Sequence, residues 1–339
     1  VFIFYLASVY KRLLLLGALL LFAVFLFRNP LHHTFFQEKT EPDVYFWGIN
    51  MGKHTREEVE EIVAARIGEW QVNPVDACYD LEQHELIPEV WGYRANVEKT
   101  VEEILNASSG QQVMPFLETV LPEVTQKDYP SAVIRKGNPV KDNVAFMVNV
   151  AWGTECILPL MDTMKQYEAK ASFFPVGSWA RKNRELIQEM AERGHMIGNH
   201  AHTDSAVITE MSIEELKDGL SQTNAFLEEV INRPVQFFTP HKGEYNYHSL
   251  EAISRLGMRT VLWSVDTIDW MEPGVEAMES RVLEQVHSGA IILMHPTKDT
   301  ITLLQNILPQ LRKQGLTVVT IEELFNPDHP PETFSIPGS

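Results

Sequence analysis

Cysteine is nearly absent: only Cys78 and Cys156 occur in 339 residues. Two distant thiols cannot build a disulfide framework or a cysteine zinc centre, and two free thiols are the favoured reading over one bridge. Basic charge is also scarce. Lysine and arginine total 28 against 46 aspartates and glutamates, a formal net charge of −18. A sequence-neutral nucleic-acid binder needs a basic face, so nucleic acid is excluded as a partner. The same deficit excludes docking on an anionic membrane surface by charge alone. There is no G-x-G-x-x-G and no G-K-[ST] loop, which argues against a nucleotide-binding sheet. No internal repeat or low-complexity segment stands out. Apolar runs of spanning length are missing too, with one exception at the N-terminus.

That exception is Leu13–Phe27, 15 uncharged apolar residues between Arg12 and Arg28. A span takes about 20 apolar residues, but flanking basic side chains snorkel, and Val1–Tyr10 is itself mostly apolar. A cleaved signal peptide would share the apolar stretch, yet no small-x-small site follows, and Arg28-Asn29-Pro30 comes instead. Residues 1–28 therefore read as an uncleaved signal anchor, a single transmembrane helix. Lys11 and Arg12 on its inner side place the folded part outside the cytoplasm, at the cell membrane. Residues 29–43 read as a linker.

Residues 44–121 read as a small α+β domain. Thr55 with Glu58 three positions on is a capping-box pattern, before a helix with Val59, Ile62, Val63 and Ile67 on one face. Asn96 is placed to cap a second helix over Val97–Leu105. Residues 122–142, with Pro122, Pro130 and Pro139 and several charges, read as a connector.

From residue 143 to 326, short apolar runs alternate with helical periodicity. The runs are Val144–Val150, Ala171–Val176, His195–Asn199, Val235–Thr239, Arg259–Val265, Ala290–Met294 and Leu316–Thr320. Gly194, Gly257 and Gly315 each precede a run, as a left-handed C′ glycine closes a helix. Alternating strands and helices predict a parallel sheet, and about seven units without a nucleotide loop favour a distorted seven-stranded (β/α) barrel. Residues 327–339 form a tail. In a barrel, chemistry gathers at the C-terminal strand ends. Those ends carry Ala151-Trp152, His200-Ala201-His202-Thr203-Asp204, Pro240-His241-Lys242, Asp266-Thr267-Ile268-Asp269-Trp270 and His295-Pro296.

The phrases Gly198-Asn199-His200, Asp266–Trp270 and Ile292–His295 resemble, in order and spacing, three motifs of the polysaccharide deacetylase (NodB-homology) family. The phrase Asn149–Gly153 resembles that of a membrane-anchored subgroup from spore-forming Gram-positive bacteria. Residues 44–121 resemble small peptidoglycan-binding-like domains. The resemblance implies a distorted barrel that removes N-acetyl groups from chitin-like or peptidoglycan glycan, by hydrolysis of carbon–nitrogen bonds other than peptide bonds. It implies a zinc-like divalent metal on Asp-His-His, an aspartate base and a histidine acid. Carried over, His295 is the acid, Asp269 its partner, and Asp266 belongs to the same catalytic phrase. Trp270, Trp152 and Pro240 would meet substrate.

Departures follow the same positions. Ala151 and Trp152 stand where the family's first motif has base and metal ligand. Asp204 replaces the second histidine of H-x-x-x-H, and Thr239-Pro240-His241-Lys242 replaces Arg-Pro-Pro-Tyr. Amide hydrolysis needs an activated water and an acid for the leaving amine, and a metal site usually takes three protein ligands. His200 and Asp204 supply two, with His202 or His241 as an improvised third. The alternatives are a merely hydrogen-bonded His200, a turn-capping Asp204 and a His241 that only decorates its loop. Loss of two carboxylates predicts no stoichiometric zinc and weak or absent turnover. The competing reading is a non-catalytic glycan-binding or scaffold protein on the same fold.

Overall fold

The computed structural model describes residues 38–205 and 207–330. Among them no helix is long and apolar enough to cross a membrane, and the anchor expected over residues 1–28 lies outside them. The chain divides into two compact units. One takes the described residues through Val72 together with Tyr93–Thr119, and the other takes Asn73–Gly92 and Val120–His329.

In the smaller unit, Tyr45–Phe46 pairs antiparallel with Ile49–Asn50 and parallel with Gln112–Val113. Helices Arg56–Arg66 and Val97–Asn106 cover this sheet with Val59, Val63, Val101 and Ile104, around Phe46 and Trp70. The capping box is present: the Glu58 carboxylate accepts from Thr55 N–H at 2.8 Å, and Thr55 Oγ1 accepts from Glu58 N–H. Asn96 Oδ1 caps the second helix through Lys99 N–H at 3.0 Å.

Residues 73–92 do not stay with this unit, contrary to a domain running unbroken over 44–121. Leu86 N–H donates to Val133 O and Val133 N–H to His84 O, which ties the excursion to the following segment. Residues 122–142 are likewise no free connector. Ala132, Val133 and Ile134 are buried, and Ile134 bridges in parallel to Val261. Burying that apolar triplet outweighs the turn propensity of the prolines around it.

The larger unit carries strands β1 (Asn143–Val150), β2 (Ala171–Pro175), β3 (Met196–Ile197), β4 (Phe237–Phe238), β5 (Arg259–Thr260), β6 (Val265–Asp266), β7 (Ile291–Met294) and β8 (Thr317–Val319). Its main helices are α1 (Thr154–Gln166), α2 (Arg184–Glu192), α3 (Ile213–Ile231), α4 (Tyr247–Arg255), α5 (Val275–Gln285) and α6 (Lys298–Lys313). A six-stranded parallel sheet runs β3-β2-β1-β7-β6, with β8 also on β1, and β4–β5 form a separate parallel pair. β1 and β7 are apolar almost throughout because both faces are buried: Val144, Phe146, Val148, Ile292 and Met294 pack with α1 and α6, while Ala145, Met147, Ile291 and Leu293 pack with Leu86, Ile134 and Val261. Gly194, Gly257 and Gly315 all adopt positive φ at helix ends, as expected. The run Arg259–Val265 is two strands rather than one. A single bridge, Asn199↔Phe238, links the β4–β5 pair to the β3 side. The ladders thus give an α/β fold built on a parallel sheet, without the continuous pairing of a closed seven-stranded barrel among the described residues.

The register brings the working ends together. Val150 lies opposite Pro175, Met294 opposite Val148, and Asp266 opposite Leu293. Residues just past these ends share one mouth.

One buried group makes the fold acid-sensitive. His195, 3% exposed, accepts the Ala171 N–H on Nδ1 at 3.0 Å. Burial first, then Arg193 and Lys170, pushes its pKa down to about 4. The unfolded chain takes up this proton near pH 6.5 and the native state does not. Stability present above pH 6.5 is therefore lost as the pH falls towards 4, by on the order of 3 kcal/mol. Thermal unfolding of His195→Gln should show a shallower fall of Tm between pH 6.5 and 4.5 than wild type. Parallel profiles would refute the assignment.

Candidate active site

Gly153 sets the geometry where β1 leaves the sheet. Its φ is +72°, and a Cβ there would sit 2.1 Å from Pro296 O, so only glycine lets the β1 and β7 exits approach. Trp152 and His295, the residues just before these two, consequently stack, with ring centroids 5.8 Å apart and planes 9° from parallel.

His295 is held from behind. Asp269 Oδ1 accepts from its Nδ1–H at 2.7 Å, and Asp269 Oδ2 accepts from His295 N–H and from Thr300 Oγ1–H. The Asp269 side chain is fully buried. A charge-assisted bond of this kind fixes the tautomer and leaves Nε2 as the free ring nitrogen.

The opposite wall comes from the loops after β3 and β4. Asn199 braces the first: its Nδ2 donates to Leu220 O and Asn224 Oδ1, and its Oδ1 accepts from Ala201 N–H. His200, buried, donates Nδ1–H to Thr239 O at 2.7 Å. His241 donates Nε2–H to Thr203 O at 2.7 Å, and its Nδ1 lies 3.3 Å from Asp204 Oδ1. One ligand atom each from His200, Asp204 and His241 lie within 4.8 Å of one another. Burial holds His200 well below the usual histidine range, reinforced by neighbouring His241. Burial also lowers His241, against the opposing pull of Asp204.

Seven residues singled out in the sequence, Trp152, His200, Asp204, His241, Asp266, Trp270 and His295, line one cleft of about 440 Å³. Three others do not. Pro240 is buried and starts the His241–Gly243 turn without lining the cleft. Asp269 stands behind His295, its carboxylate spent on His295 and Thr300, so it partners the histidine without lining the cleft. His202 is exposed and outside the cluster, which leaves His241 as the third candidate donor. The Asp266 carboxylate faces the cleft but already accepts Ile268 N–H at 2.8 Å.

Asn149, Lys242, Trp263 and Leu293 also line the cleft, and the sequence alone assigned none of them a role in it. Asn149 is 5% exposed, and its Oδ1 has no partner among the described residues. It was legible as the lone polar residue within the apolar run Val144–Val150. Lys242 enters at a left-handed φ of 55°, which no local pattern announced.

A family model described as polysaccharide deacetylase matches residues 136–261. A peptidoglycan-N-acetylglucosamine deacetylase of Bacillus cereus is 34% identical over 176 residues, 50% of this chain and 82% of that one. This chain belongs to the polysaccharide deacetylase family. A Bacillus subtilis relative, the uncharacterized protein YlxY, is 32% identical over 313 residues, 90% of this chain and 96% of its own. Among solved structures, a CE4 family pseudoenzyme from Bacillus anthracis superposes with TM-score 0.69 at 28% identity, covering 80% of this chain and 95% of that one. Within the polysaccharide deacetylase fold, the cleft holds an assembled histidine–aspartate pair. At the exit of β1 it presents Ala151 and Trp152, neither of which can take a proton from water.

Proposed function

We propose that the chain binds peptidoglycan-type glycan in this cleft and that its N-acetyl hydrolysis is weak or lost. The exit of β1 carries this reading: Ala151 and Trp152 occupy positions where the resemblance requires a base and a metal ligand. Hydrolysis needs both a base to activate water and an acid for the leaving amine. Here the acid side stands complete, as His295 on Asp269 and Thr300, while its counterpart is apolar. Relatives named as peptidoglycan deacetylases support the ligand class, and the pseudoenzyme neighbour supports the loss of turnover.

Trp152 and Trp270 are 44% and 58% exposed, unusual for tryptophan, and both line the cleft. Sugar CH faces stack on indole with loss of apolar area to water. Asp204 and Asp266 outweigh the single positive charge of Lys242 in the lining, which favours de-N-acetylated, amino-bearing sugars at low salt. The smaller unit, read as a peptidoglycan-binding-like module, would add contacts, and an anchor over residues 1–28 would hold the assembly outside the cell membrane.

Calorimetric titration with chitin-like or peptidoglycan oligomers should give affinities on the order of millimolar to micromolar. Trp270→Ala should weaken binding at least about fivefold with Tm unchanged, since the ring is largely outside the core. No heat with any wall glycan from folded wild-type protein would refute the proposal and leave a scaffold reading on the same fold.

A further inference from the structure

We propose that His200, Asp204 and His241 bind a transition-metal dication as a three-donor set of their own composition, and that the ion strengthens glycan binding. The second half rests on the glycan reading above, and the first does not. The resemblance takes its metal from a first-motif aspartate and two histidines. In this chain Trp152 closes off the first source, and the third donor arrives from the opposite wall, on the loop after β4.

Hydrogen bonds select the donor atoms. Thr239 O can only accept, so His200 carries its proton on Nδ1 and keeps Nε2 as a lone pair. Thr203 O likewise can only accept, so His241 carries a proton on Nε2. In the neutral ring Nδ1 is then a lone pair 3.3 Å from a carboxylate oxygen of Asp204. Two acceptors at that distance repel unless positive charge lies between or beside them. Anchoring each ligating imidazole through its other nitrogen to a backbone carbonyl is the arrangement that orients metal-binding histidines. A second, independent feature points into the same cleft. Asn149 lines the cleft, and its Oδ1 is buried without a partner among the described residues, an unmet acceptor beside the cluster.

Two imidazole nitrogens and one carboxylate oxygen suit zinc, cobalt or nickel, not calcium or magnesium, which prefer all-oxygen sets. Three protein donors leave a position open to solvent, and the cleft is where it opens. An ion there would polarise a sugar oxygen placed against it, without the base needed for turnover. This runs against the expectation, from Ala151 and Trp152 alone, that no zinc is retained. That expectation counted lost ligands; the structure places His241, one of the two histidines open as an improvised third, beside Asp204.

The test uses the full chain, stripped with chelator and titrated with cobalt(II) while visible absorption is recorded, and with zinc by calorimetry. One equivalent should bind with a Kd on the order of micromolar or tighter. His241→Ala and Asp204→Asn should each weaken it at least about 100-fold with far-UV circular dichroism unchanged, and His202→Ala should leave it unaltered. Chitin oligomer should then bind at least about fivefold tighter to the zinc-loaded protein than to the stripped one. Failure of folded wild type to take up either metal, or equal uptake by all variants, overturns the site and leaves the glycan proposal standing. Metal uptake with unchanged oligomer affinity overturns the role in glycan binding alone.

Discussion

Ala151→Asp/Trp152→Asp should raise acetate release from chitin or peptidoglycan oligomers by about 10²–10⁴-fold over wild type, the usual contribution of a positioned general base. The reason lies in what the cleft already contains. His295 is aligned by Asp269, and the His200–Asp204–His241 cluster faces it across the same hollow. The exit of β1 lacks only the carboxylates. Ala151 is half-buried and Trp152 is 44% exposed, so neither substitution empties the core. Trp152→Ala alone should give no gain, because it opens space without supplying a base. Adding His295→Ala to the double variant should abolish the gain. A folded double variant with wild-type rates would show that the cleft lost more than its first-motif aspartates.

Asp269→Ala should cost about 3–5 kcal/mol of unfolding free energy, the range for removing one partner from a buried, hydrogen-bonded ionic network. The side chain is fully buried, and the change strands His295 N–H and His295 Nδ1–H together and leaves the Thr300 hydroxyl with Thr297 Oγ1 alone. Thr300 lies in the first turn of α6, whose cap runs through Thr297 Oγ1 to Thr300 N–H, so the damage reaches the helix start as well as the cleft. Urea unfolding by fluorescence and circular dichroism should show a lower midpoint with little change in slope. A loss below about 1 kcal/mol would mean that water or a neighbouring side chain replaces the carboxylate.

Features that depend on neighbours in the chain were legible in the sequence. The capping box at Thr55 and Glu58, the Asn96 cap and the positive-φ glycines at 194, 257 and 315 are each read from a few adjacent residues. So are the buried runs that become β1 and β7. Features that depend on distant partners were not. The run Arg259–Val265 breaks because Leu262 N–H goes to Ile134 O, in a segment that composition alone marks as a connector. The cleft shows the same division. His295, Trp270 and His200 stand out by phrase and strand end. His241 gains its meaning only when Thr203 O fixes its ring beside Asp204, a pairing between two loops that no spacing encodes. Asp269 and Asp266 look alike in one short phrase, yet the first is sealed behind His295 while the second reaches the cleft.

The excursion of residues 73–92 has a practical edge. Val72 and Tyr93, where the chain leaves and re-enters the smaller unit, exchange both backbone hydrogen bonds, each at 2.8 Å. Residues paired in this way have Cα atoms only about 5.5 Å apart. Topologically the larger unit has borrowed a hairpin from inside the smaller one. A truncation beginning at residue 122 or 143 would therefore strip the larger unit of Glu85, which pairs with Arg135, and of Glu89, which accepts the Gln126 N–H. The smaller unit can instead be isolated by splicing. An Asn-Gly turn joining Val72 to Tyr93 would close the gap with the two-residue geometry that antiparallel pairs favour, and would give a one-piece module whose glycan binding can be weighed separately.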